Sequence, residues 1–106
     1  MSAVVVVATF EAKEGEEERV ESTLSEAVAA THAEDGCLKY ALHRDRNEPR
    51  RFVMIEMWSS QEALDAHLGQ PSLIPILELA EGSLANPIQM WVCESLPTGD
   101  PGKGSL

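Results

Sequence analysis

The stretch that decides the fold runs from Gly36 to Ser72: GCLKYALHRDRNEPRRFVMIEMWSSQEALDAHLGQPS. Cys37–Arg44 alternates, with Leu38, Tyr40 and Leu42 on one side and Lys39, Ala41 and His43 on the other. This is the period of a strand. Asp45–Arg50 (DRNEPR) has the composition of a turn. Phe52–Trp58 returns as a second strand, with Val53, Ile55 and Met57 on one face and Phe52, Met54, Glu56 and Trp58 on the other. Both faces are largely apolar, as in a central strand. Glu56 is the anomaly, because a carboxylate on a covered face costs several kcal/mol unless it is bonded, paired or protonated. Ser59-Ser60-Gln61-Glu62 fits a capping box with Ser59 as N-cap. The helix that follows sets Leu64, His67 and Leu68 on one inward stripe. Gly69-Gln70-Pro71 ends it.

Working outward, Ala3–Phe10 (AVVVVATF) is a β-branched run that reads as a strand covered on both faces. Glu14–Gly15 breaks it. From Glu16 to His32 the period becomes helical, with Val20, Leu24, Ala27, Val28 and Thr31 on one stripe. Glu16, Glu17 and Glu18 fall in the first turn, where negative charge suits the helix dipole. Asp35–Gly36 supplies a stop. A short helix around Leu73–Glu81 carries Pro75 in its first turn, where a missing N–H is harmless. Pro87–Leu96 is the last strand. Residues 97–106 lack apolar periodicity and are expected to form a flexible tail after a single domain spanning 1–96.

The order β-α-β-β-α-(α)-β predicts an α+β, ferredoxin-like fold: one four-stranded antiparallel sheet with its helices on one face. The opposite face, carrying Val53, Ile55 and Met57, is more apolar surface than a monomer usually exposes. Two such faces packed together would form a homodimer with a barrel-like core.

Composition narrows the function. With 106 residues and 43 % hydrophobic content, the chain can bury one core without staples. Its net charge of −10 disfavours nucleic acid and anionic membranes as partners. No apolar run approaches the roughly 20 residues of a membrane span. Val4–Val7 is too short for a signal-peptide core. Cys37 and Cys93 form no CxxC and have no His at zinc spacing, so no metal site is expected and a reducing, cytoplasmic setting fits. Their strands would be opposite sheet edges, which argues against a disulfide within the chain.

Several motifs together resemble the antibiotic biosynthesis monooxygenase family of small dimeric α/β-barrel proteins. They are Gly36-Cys37-Leu38 with Tyr40, Arg51-Phe52-Val53, Glu56-Met57-Trp58, and Glu62-Ala63-Leu64 with Ala66-His67-Leu68 and Pro71. The resemblance covers about residues 3–96. It implies oxygenation of a quinol or polycyclic phenol by O2 with no cofactor. Triplet O2 reacts poorly with closed-shell organics, but a deprotonated phenol can give it an electron. The protein then needs a dry cavity, a group to take the phenolic proton and donors for the developing oxyanion.

His67 is the candidate base, since an unperturbed imidazole titrates near neutrality. Glu56 is expected to hydrogen-bond His67 and orient it. Trp58, Tyr40, Met54 and Leu68 are expected to line the cavity, and Thr9 to stand in for an oxyanion donor. Polyketide-tailoring and haem-degrading relatives use a pocket Asn near the first strand. Here that strand reads Ala8-Thr9-Phe10, which weakens a haem reading. Each residue also has a structural alternative: His67 as a core histidine, Trp58 as packing, Tyr40 as an edge aromatic. His43 reads as surface or interface and His32 as helix-terminal. The rival function is a non-catalytic small-ligand-binding or dimerisation module on the same fold. A region around Trp58 and His67 packed solid, with no cavity of roughly 300 Å³ or more, would remove most of the support for the enzyme.

Overall fold

The computed structural model describes residues 3–106. β1 (Val4–Glu11) leads through a turn, in which Gly15 takes φ 88°, into α1 (Glu17–Thr31). β2 (Cys37–Arg44) and β3 (Arg51–Trp58) form the expected hairpin. α2 (Gln61–Leu68) follows, then a 3-10 turn at Pro71–Leu73 and α3 (Ile74–Leu79). β4 (Gln89–Glu94) closes the sheet. The strand order is β2-β3-β1-β4 with every neighbouring pair antiparallel, the ferredoxin-like arrangement. The helices pack on one face, and Val20, Leu24 and Ala27 of α1 are buried against it.

The β1 pairing fixes the faces. Val6, Ala8 and Phe10 join Phe52, Met54 and Trp58 in the core beneath the helices. Val5, Val7 and Thr9 sit opposite Met57, Ile55 and Val53 on the open face. The face assignment of β3 made from its alternation therefore holds.

Three local expectations are corrected. A bulge lies between Cys37 and Lys39, so Cys37 pairs with Trp58 and Lys39 with Met57. Leu38 is the extra residue. It is 52 % exposed and does not share the Tyr40 side. The N-cap of α2 is Ser60, whose hydroxyl accepts from the Ala63 amide at 3.1 Å. The Ser59 N–H is bonded to the Gly36 carbonyl at 2.9 Å, and it is Ser60 that takes the extended N-cap conformation, at φ −162° and ψ 167°. Gly36 also lets α2 approach, since a Cβ on it would collide with Cβ of Ala63. The last strand is shorter than Pro87–Leu96, because its pairing with β1 runs from Gln89 opposite Thr9 to Glu94 opposite Val4.

Candidate active site

Between the helix face of the sheet and helices α2 and α3 lies an apolar cavity of about 130 Å³. β1 supplies Ala8 and Phe10 as floor. α2 and α3 supply Leu68, Ile76 and Leu77, and β4 supplies Met90. Leu68, Leu77 and Met90 are about half exposed and form the rim. Three polar side chains reach the cavity: Tyr40 from β2, Glu56 from β3 and His67 from α2. Each is at most 5 % exposed.

Strand alternation and helix period bring these three together. Tyr40 pairs with Glu56 across β2 and β3. His67 lies on the buried stripe of α2 with Leu64. Its ring sits 4.4 Å from the Trp58 ring at an interplanar angle of 35°. The Tyr40 ring meets it edge-on at 5.3 Å.

The hydrogen bonds differ from expectation. Glu56 is not bonded to His67. Its Oε1 accepts from the Trp58 indole N–H at 2.9 Å. His67 instead turns Nδ1 to Glu34, at 3.0 Å from Oε2 and 3.2 Å from Oε1. Nε2 of His67 has no protein partner among the described residues. The reason is geometric: residues two apart on a strand share a face, so the Trp58 N–H reaches Glu56 before any helix side chain does. Sequence reading missed Glu34. It lies in the polar turn after α1, 33 positions from His67, and reads there as a solvated charge. The one available signal was the demand of a buried imidazole for a partner.

Three of the expected lining residues lie elsewhere. Trp58 and Met54 are fully buried in the core behind the wall rather than on it. Thr9 points to the open face, where it borders a separate polar depression with Glu11, Asn86 and Gln89. It cannot serve as an oxyanion donor in the cavity. Tyr40, Leu68, Glu56 and His67 do line it. His43 lies exposed on the open face opposite Val53. His32 caps α1 and pairs its Nε2 with the Tyr40 carbonyl at 3.0 Å. Cys37 and Cys93 are both free. Among the described residues, no group of three His, Cys, Asp or Glu is arranged to hold a metal ion, and no helix is long and apolar enough to cross a membrane.

Burial sets the protonation of the site. It pushes the Glu56 carboxyl above its ordinary range, and the Trp58 hydrogen bond and the nearby His67 only partly oppose it. Burial, and then the adjacent Glu56, push the Tyr40 phenol well above its ordinary value, so it remains an O–H donor at neutral pH. A raised carboxyl favours the protonated folded state. Its stabilising contribution is complete below the ordinary glutamate value and is lost as pH rises through the folded value. Glu56→Gln keeps the shape and an acceptor for the indole but removes this titration. Wild-type stability should therefore fall relative to Glu56→Gln as pH rises from about 4.5 towards neutrality. Paired thermal melts across that range test this. A difference in melting temperature that stays flat with pH contradicts it.

Residues 3–73 match the family model described as antibiotic biosynthesis monooxygenase. A solved Pseudomonas aeruginosa protein is 32 % identical, with a TM-score of 0.84 over 91 % of this chain and 96 % of its own. A Mycobacterium tuberculosis protein with a provisional monooxygenase name is 28 % identical over 90 % of this chain and 93 % of its own. Its solved structure superposes with a TM-score of 0.85, covering 93 % of this chain and all of the other. An uncharacterized Synechocystis protein is 25 % identical over 84 % of this chain, which spans only 60 % of that relative's length.

Proposed function

Because the chain belongs to the antibiotic biosynthesis monooxygenase family, we propose that it oxidises a neutral phenolic ring with O2, using His67 as the base and no cofactor. The observation that carries this reading is the His67 imidazole on the wall of a small apolar cavity, with no partner on Nε2 among the described residues. The Tyr40 hydroxyl and the Glu56 carboxyl are the other polar groups there. No Lys or Arg lines the cavity, which disfavours carboxylated or phosphorylated substrates.

The volume refines the substrate. About 130 Å³ is below the roughly 300 Å³ of ordinary ligand pockets, so a polycyclic phenol does not fit the single chain. It is close to the ~150 Å³ that accommodates benzene in an engineered core. A single-ring hydroquinone suits it. In the proposed reaction the substrate O–H bond breaks, its proton goes to His67 and its electron pair stays on oxygen. The phenolate reduces O2 and a C–O bond forms at a ring C–H carbon; that C–H bond then breaks as the O–O bond breaks, and its proton and the one held by His67 leave with the distal oxygen as water. Hydroquinone plus O2 thus becomes hydroxyquinone plus water.

The open sheet face supports a second element of the proposal. Val7, Val53 and Ile55 are only half-buried there, and Trp91 of β4 is 50 % exposed beside them. A second copy presenting the same face would cover them. Sedimentation should give twice the 11.5 kDa chain mass. A stable monomer at micromolar concentration overturns the dimer.

The small cavity also favours a second reading, a non-catalytic binder of a one-ring ligand. Oxygen uptake with a panel of single-ring hydroquinones separates the two. The enzyme consumes O2 and, supplied with ¹⁸O2, incorporates one labelled atom per product. Binding without uptake across the panel supports the module.

A further inference from the structure

We infer that Glu34 is the positioning residue of this site, holding the His67 proton on Nδ1 and leaving Nε2 free for the substrate. The inference rests on the reading of His67 as the base. Both Glu34 carboxylate oxygens lie within hydrogen-bonding distance of Nδ1, at 3.0 and 3.2 Å. A carboxylate only accepts, so Nδ1 must donate. A neutral imidazole has one N–H, so Nε2 is left as the acceptor.

The surroundings of the pair support the role. His67 is 2 % exposed and belongs to the cavity wall. Glu34 belongs to a different space, an outer groove bordered by Asp35, Glu62, Ala66 and Gln70. The cavity and the groove share no lining residue. The pair therefore runs from the cavity wall outward to the groove: the Glu34 side chain is 16 % exposed against 2 % for His67. Glu56 and Tyr40 face the ring from β3 and β2, and neither the cavity nor the groove has a Lys or Arg in its lining. The charged side chains that line the two spaces beside His67 are all acidic.

In the reaction, the substrate O–H proton bonds to Nε2 while its electron pair stays on the substrate oxygen. The imidazolium is held by Glu34 at Nδ1. The Nε2 proton and the proton of the ring C–H bond that breaks then pass to the departing oxygen, which leaves as water, and His67 returns to its starting tautomer. Glu34 touches no substrate.

The test is ¹⁵N NMR of the neutral His67 ring in the intact protein, with the resonance assigned by its loss in His67→Gln. The expected wild-type neutral ring is the Nδ1–H tautomer. Glu34→Leu, which cannot accept from Nδ1–H, should raise the share of the Nε2–H tautomer, and Glu34→Asp should keep the Nδ1–H form. With a substrate found by oxygen uptake, Glu34→Leu should lower kcat about tenfold and leave KM within about twofold, while Glu34→Asp recovers most of the rate. A neutral Nε2–H ring in the wild type, or a tautomer unchanged in Glu34→Leu, overturns the inference. The NMR measurement needs no substrate, so an inactive wild type with the expected tautomer overturns the proposed reaction and leaves the Glu34 pairing standing.

Discussion

Replacing His67 with alanine is expected to lower quinol-dependent oxygen uptake by about 10²–10⁴-fold, the usual range for removing a general base. The loss should be large because the cavity holds no equivalent. The Tyr40 phenol is held protonated by burial and by Glu56, so it is no phenolate base at neutral pH. The Glu56 carboxyl is held by the Trp58 indole, which donates to its Oε1. The loss should fall mainly in kcat, since the apolar walls that hold the ring are untouched. Removing the imidazole also opens space against Trp58, so circular dichroism and a thermal melt must accompany the oxygen electrode. His67→Gln fills that space and separates lost chemistry from lost packing. An unchanged rate in a folded His67→Ala protein rules out the assigned role.

The second large effect is on stability. Trp58→Ala should cost about 3–5 kcal/mol, the range for truncating a fully buried large aromatic. Trp58 is 0 % exposed and packs against both Tyr40 and His67. In a domain of this size each kcal/mol shifts Tm by about 4–8 °C. The melting temperature should therefore fall by tens of degrees. The change also strips Glu56 of its hydrogen-bond donor in a buried setting. Trp58→Phe isolates that part: it keeps most of the apolar contact and loses only the N–H, for about 1–3 kcal/mol. Denaturant unfolding measures both. A Trp58→Phe protein as stable as the wild type would mean that the indole–carboxylate bond contributes nothing.

The sheet and its helices were legible because their residues obey simple periods. Val53, Ile55 and Met57 alternate with Met54, Glu56 and Trp58, and the structure puts the two sets on the predicted faces. Leu64 and His67 follow the helical repeat and are buried. The site was legible only in part. Tyr40, Glu56 and His67 meet in one cavity, as alternation and helix phase require. Their partners were not readable. Which donor reaches Glu56 depends on the strand neighbour Trp58, and which acceptor reaches His67 depends on where the turn after α1 passes over α2. Neither has a period. The same limit applies to Thr9. Its pairing with Val53 assigns it to the open face, and the strand's uninterrupted apolar run hid which residues face which way. The α2 cap lies one residue later than the local motif predicts, because adjacent serines offer the same hydroxyl and it is Ser60 that reaches the Ala63 amide.

The bulge at Leu38 bears on how this hairpin can change length. Deleting Leu38 would let Cys37 pair with Trp58 in a regular ladder, with Lys39 through Arg44 still opposite Met57 through Phe52. Deleting Ala41 would slide Tyr40 into the slot opposite Ile55 and turn its phenol away from His67, because a shift of one residue exchanges the two faces of a strand. Within the single segment Cys37–Arg44, position 38 is thus the place where the chain can lose a residue and keep its cavity, whereas a deletion three residues further on removes a cavity wall.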